Sequence, residues 1–109
     1  MKLLHKPIQF VGTQAWNSEY GGLEGSMYIK TAMEVLSKHP VDMLIFEMPD
    51  DEHFQVRLCG YRLDKGDQLY PDETTIAFKT KSLEIRTFWL KIDDFGDKFV
   101  GTFMFPEDY

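Results

Sequence analysis

The chain is 109 residues long, the size of one domain, and residues 1–109 are expected to form a single α+β unit around one core. Hydrophobic residues make up 43% of it and sixteen residues are aromatic, which excludes intrinsic disorder. A formal net charge of −6 excludes the basic surface that a phosphate-backbone binder needs, so no nucleic acid partner is expected.

The first residues, Met1-Lys2-Leu3-Leu4-His5-Lys6-Pro7, lack the long apolar run of a signal peptide, and no apolar run approaches the ~18 residues of a membrane span. Ile8-Gln9-Phe10-Val11 reads as a first strand at a sheet edge, ended by Gly12. From Thr13 to Gly25, Asn17, Ser18, Gly21, Gly22 and Gly25 predict a loop. Trp16 and Tyr20 lie inside it, and such rings either anchor a loop to the core or form a contact patch. Ser26 is the expected cap of an amphipathic helix. Tyr28, Ile29, Ala32, Met33, Val35 and Leu36 fall on one side of it, and Pro40 stops it.

Val41 to Met48 is nearly all apolar and too short for a second helix, so it predicts a central strand covered on both faces. After the turn Pro49-Asp50-Asp51-Glu52, Phe54, Val56 and Leu58 alternate with polar residues in a half-buried strand. The apolar parity changes at Gly60, which predicts a bulge or bend. Asp64-Lys65-Gly66-Asp67 and Tyr70-Pro71-Asp72-Glu73 read as turn and loop. Ile76 and Phe78, then Leu83 and Ile85, then Phe88, Leu90 and Ile92 alternate in turn, as two strands or one bent strand, with Trp89 on the opposite side. Asp93-Asp94-Phe95-Gly96-Asp97 reverses the chain into a last strand carrying Phe99, Gly101, Phe103 and Phe105.

The predicted order is β-α-β-β-β-β: one amphipathic helix packed on a curved four- to six-stranded antiparallel sheet. That architecture resembles cystatin-like and other helix-grip domains. Gln9-Phe10-Val11-Gly12 is similar to the cystatin inhibitory loop, but it lacks the extra residue before Gly and precedes the helix, whereas the family's loop follows it. A helix-grip resemblance implies a pocket between helix and sheet; it does not fix a function.

No catalytic constellation emerges from the residues. His5, His39 and His53 are too far apart to put two imidazoles on one metal, and the acidic turn 50–52 does not match an EF-hand loop. We expect no metal site and no cofactor. Asp94-Phe95-Gly96 matches the kinase metal-binding triplet in letters alone, without a phosphate loop or catalytic loop. Gly21-Gly22-Leu23-Glu24-Gly25-Ser26 lacks the Lys-Ser/Thr pair of a P-loop, and Glu24 repels anions. Cys59, the only cysteine, has no activating neighbour in a strand interior and reads as an inert thiol of a reduced, cytoplasmic protein. Glu47 and Glu84 are unusual because they are carboxylates in strands. Pairing with Arg57 or Arg86 is the plainer account of both.

Three functional classes follow. The first is a small acidic, non-enzymatic protein that occludes a partner protein, as inhibitors and immunity proteins do. Residues 41–75 hold nine Asp or Glu against three Lys or Arg, which favours a basic partner. Its expected contact residues are Asp50, Asp51, Glu52, Asp64, Asp67, Asp72 and Glu73, anchored by Trp16, Tyr20, Tyr61 and Tyr70. The second is a helix-grip ligand-binding or enzymatic domain with Glu47, His53 or Glu84 in the pocket. The third is a homodimer built by pairing a strand edge, with 8–11 or 98–105 as that edge.

Overall fold

A computed structural model describes residues 7–21, 23–48, 53–63, 75–79 and 86–108. Strand β1 (Ile8–Gly12) leads into helix α1 (Gln14–Tyr20), helix α2 (Leu23–Lys38) and strand β2 (Val41–Glu47). Strands β3 (His53–Arg62), β4 (Thr75–Lys79), β5 (Phe88–Asp94) and β6 (Phe99–Met104) follow, and a 3-10 turn at Pro106–Asp108 closes the described chain. The fold is α+β: two helices lie on one face of an open six-stranded sheet of order β1-β6-β5-β2-β3-β4. Among the described residues, no helix is long and apolar enough to cross a membrane.

The last hairpin forms as its sequence predicts. Trp89 pairs with Met104 and Asp94 with Phe99, and the turn between is fixed by Asp94 Oδ1 accepting from Gly96 N at 2.8 Å. This hairpin is inserted between β1 and β2, the two strands that flank the helices in sequence. The insertion makes β6 an interior strand, antiparallel to β5 and parallel to β1. The sheet is therefore mixed, which corrects the all-antiparallel expectation, and 98–105 is no edge. Residues 75–79 and 88–94 are two separate strands on opposite halves of the sheet. The alternation at Leu83 and Ile85 lies outside the described residues.

Two corrections concern the helices. The predicted loop contains α1, capped by Thr13, whose Oγ1 accepts from Trp16 N at 3.3 Å. Helix α2 starts at Leu23, so Ser26 lies within its first turn and is not its cap. Its buried stripe comprises Tyr28, Ala32, Val35 and Leu36, and Met33 is exposed.

The core lies between helices and sheet. Phe46 and Phe88 stack at 4.7 Å on neighbouring strands, and Trp16 stacks on Phe103 at 4.5 Å. Tyr28 meets Phe46, Phe54 and Phe88 edge-on, the arrangement that aromatic quadrupoles favour. Each such ring contributes about 1.5–3 kcal/mol by leaving water. Together they fill the helix side of the sheet.

The C-terminal turn seals one end of this core. Thr13 Oγ1 donates to Asp108 Oδ2 at 2.9 Å, and Phe105 N donates to the same oxygen at 3.1 Å. Arg86 lies over the Phe105 ring and pairs with Glu19 and Glu107, joining α1, the start of β5 and the terminal turn.

Candidate functional site

Side chains alternate across a strand, so the residues between the core positions form the second face of the sheet. That face carries Met43, Ile45 and Glu47 of β2, Gln55, Arg57 and Cys59 of β3, and Trp89, Lys91 and Asp93 of β5. Among the described residues no helix covers it. The strand registers set Met104, Trp89 and Ile45 side by side, an apolar stripe across β6, β5 and β2. Met43 lies in the next row, between Lys91 and Cys59. Among the described residues, helices thus cover the central strand on one face only. Met43, Ile45 and Trp89 are half-buried, whereas the core-facing Leu44, Phe46 and Leu90 are fully buried.

Ion pairs frame the stripe. On one flank Glu47 Oε1 accepts from Arg57 Nε at 3.0 Å and from Gln55 Nε2 at 2.8 Å. This is the cross-strand pairing expected for a carboxylate in a strand, and Glu47 faces away from the helices. On the other flank Lys91 Nζ lies 3.4 Å from Asp42 Oδ2 and 3.8 Å from Asp93 Oδ1. Asp42 also accepts from Tyr61 N at 2.9 Å, at the bulge where Gly60 and Tyr61 together oppose it. Beside this bulge is an open cleft of about 320 Å³, lined by Asp42, Tyr61, Leu63, Lys91, Asp93 and Phe99. Cys59 is half-buried on the same face, and its Sγ lies 3.9 Å from Met43 O. Burial pushes its thiol up, with nearby Asp42 adding to the rise and Arg57 and Lys91 opposing it. A raised thiol pKa lowers the thiolate fraction and with it nucleophilicity.

The sequence-predicted contact residues divide sharply. Trp16 and Tyr20 are 3% and 4% exposed and belong to the core, so neither can anchor a partner. They are the loop anchors, held by rings on both sides. Tyr61 is 49% exposed and remains available. Asp50, Asp51, Glu52, Asp64, Asp67, Tyr70, Asp72 and Glu73 lie outside the described residues, as does Glu84. Of the predicted pocket residues, Glu47 sits in the ion pair above, and His53 is half-buried at the first position of β3. The structure brings neither of them into the space between helices and sheet, which aromatic side chains occupy. Among the described residues no three His, Cys, Asp or Glu gather as metal ligands would.

The stripe itself was missing from the predicted site. Its signal was present in Trp89, which alternates with Phe88 and Leu90 and so had to lie on the face away from the core. No protein-family model, curated protein or solved structure matches the chain.

Proposed function

We propose that this protein acts by binding another protein, and that it occludes that partner without chemistry of its own. The observation that supports this reading is the Met104–Trp89–Ile45 stripe, with Met104 buried and Trp89 and Ile45 half-buried, an apolar strip framed by ion pairs on a sheet face that no helix covers among the described residues. Apolar centres with polar rims are the usual anatomy of a protein-binding surface, and Trp and Met are enriched in them. The aromatic filling of the helix side leaves the ligand-pocket reading without a cavity there among the described residues.

Charge complementarity argues for a basic partner. Asp42 and Glu47 are engaged in ion pairs on the open face. The other seven acidic residues of 41–75 fall in the connections that follow β2 and β3 in sequence. Such an excess steers a basic protein toward the sheet and makes association sensitive to salt.

The test uses the purified protein as bait at low and high salt, beside an Ile45→Asp variant checked for folding by circular dichroism. A single basic protein held at low salt, released at high salt and not held by I45D is the expected result. Absence of any partner at both salts would sink the occluding function. Equal capture by I45D would remove the open face from it.

A further inference from the structure

Strand β1 ends the sheet, and among the described residues nothing pairs with its outer edge. In a parallel pair, alternate residues turn both backbone groups toward the neighbouring strand. Pro7 O accepts from Phe99 N at 2.8 Å and Thr13 N donates to Phe103 O at 2.9 Å, so residues 7, 9, 11 and 13 face β6. Ile8, Phe10 and Gly12 therefore direct their N–H and C=O groups outward. Asn17 Nδ2 donates to Gly12 O at 3.0 Å, so a side chain of α1 occupies the last outward acceptor. Ile8 and Phe10 keep two donors and two acceptors open, and Gly12 keeps its N–H alone.

We propose that this edge joins the same edge of a second copy of the chain, antiparallel about a two-fold axis between the two Gln9 residues. This register pairs the four groups of Ile8 and Phe10 with one another, leaving only the Gly12 N–H outside the pairing: Ile8 exchanges both hydrogen bonds with Phe10 of the second copy, and Phe10 with its Ile8. It makes no demand on Gly12. A register shifted by two residues either calls on Gly12 or leaves Ile8 facing its own copy, with Phe10 displaced beyond the strand.

Side chains fit the same axis. Ile8 and Phe10 are half-buried on the helix side, and the pairing sets each against the other, a β-branched–aromatic contact of the kind that stabilises antiparallel strands. On the open side the two exposed Gln9 amides meet, each oxygen accepting from Lys98 Nζ of its own copy at 2.9 Å and each NH2 left to donate across the axis. The strand carries no charge and no bulge, and Pro7 directs its carbonyl inward. Of the usual guards of an exposed edge, the strand has only the Lys98 ammonium, drawn onto Gln9 on the open side. A second copy fits because the edge is its own complement: the groups and side chains that it offers are those it requires. Each copy carries a charge of −6, so added salt strengthens this association, whereas it weakens capture of a basic partner. The edge and the open face are separate surfaces, and the failure of one leaves the other standing.

The experiment follows sedimentation of the full chain from about 10 μM to about 1 mM, the range in which small interfaces associate. Dimer that grows with concentration and with salt is expected, and a monomer across the whole range would overturn the proposal. Position is read by oxidative cross-linking in a Cys59→Ala background. Directly opposed residues of a non-hydrogen-bonded antiparallel pair lie about 4.5 Å apart at Cα, within reach of a disulfide. Gln9→Cys should cross-link to its own copy, and Val11→Cys, roughly 14 Å from its counterpart along the strands, should not. A dimer that Q9C fails to cross-link, or that V11C cross-links as readily, would place the interface elsewhere and overturn the assignment.

Discussion

The carboxylate of Asp42 occupies the space that any side chain on residue 60 would need. Gly60 has φ +88°, a left-handed conformation, and a Cβ built on it would run into Asp42 Oδ1. Asp42 in turn bonds Tyr61 N at the bulge and Lys91 Nζ on β5, so the glycine makes room for the group that ties three strands together. Gly60→Ala combines backbone strain with this clash and should destabilise the protein by about 2–3 kcal/mol. Asp42→Ala removes the clash but leaves the strain, so G60A/D42A should cost less than the sum of the two single changes in urea unfolding. Additive losses would show that the two residues are not coupled.

Arg86 should matter through its shape more than its charge. Its guanidinium lies 3.8 Å from the Phe105 ring centroid and between Glu19 and Glu107, and all three charged side chains are substantially exposed. Exposed ion pairs contribute little, whereas a planar cation on a ring retains its effect in salt. Arg86→Ala should therefore lower stability by about 0.5–1.5 kcal/mol, with most of the loss surviving at high salt. Arg86→Lys should recover only part of it. A loss that vanishes in salt would reassign the effect to the two carboxylates.

The buried and exposed aromatics that sequence reading grouped together should separate in experiment. Trp16 is stacked on Phe103 and bounded by Tyr20, Tyr28 and Phe88, so Trp16→Ala should cost about 3–5 kcal/mol. Tyr61→Ala, on a half-exposed side chain, should change stability by less than about 0.5 kcal/mol. Thermal unfolding of the two variants checks this contrast, and equal losses would contradict the burial of Trp16.

The parts of the fold that local signals specify were legible. The Asp94–Gly96 turn and the alternation on either side of it determine the β5–β6 hairpin, and the parity change at Gly60 marks the bulge. The parallel pairing of β1 with β6 was not legible, because it joins residues about ninety apart with no connecting turn between them. Helix α1 was hidden because Asn17, Ser18 and Gly21 are loop-forming residues, while its real signature is the Thr13 cap and the i, i+4 pair Trp16 and Tyr20. The early start of α2 has a packing cause: a Cβ on Gly25 would press on Tyr20 O and approach the Trp16 ring, so the glycine permits the close crossing of α1 and α2.

The candidate site was half legible. Glu47 stood out as a carboxylate in an apolar strand, and its pairing with Arg57 follows from the two strands being neighbours. Whether the face bearing it was covered depended on how many helices exist and on which side they lie, which is a tertiary question. Both helices pack on the Phe46–Phe88 side, and so Ile45, Met43 and Trp89 are left half-buried on the other face.

The Cys59 thiol offers a pH test of that same face. Burial is the main cause of its raised pKa, so the folded state favours the protonated thiol. Folding stability from this group is fully present below the ordinary thiol value of 9.0 and is lost as pH rises through the higher folded-state value. Alkylation by iodoacetamide should accordingly be slow at pH 8 and should still be rising, without levelling off, as pH passes 9.0. Arg57→Ala removes the largest opposing influence and should shift the alkylation profile further upward, whereas Asp42→Ala should shift it down. A profile that levels off below pH 9.0 would mean that Arg57 and Lys91 outweigh burial, and that the open face around Cys59 is wetter and more electropositive than the strand packing indicates.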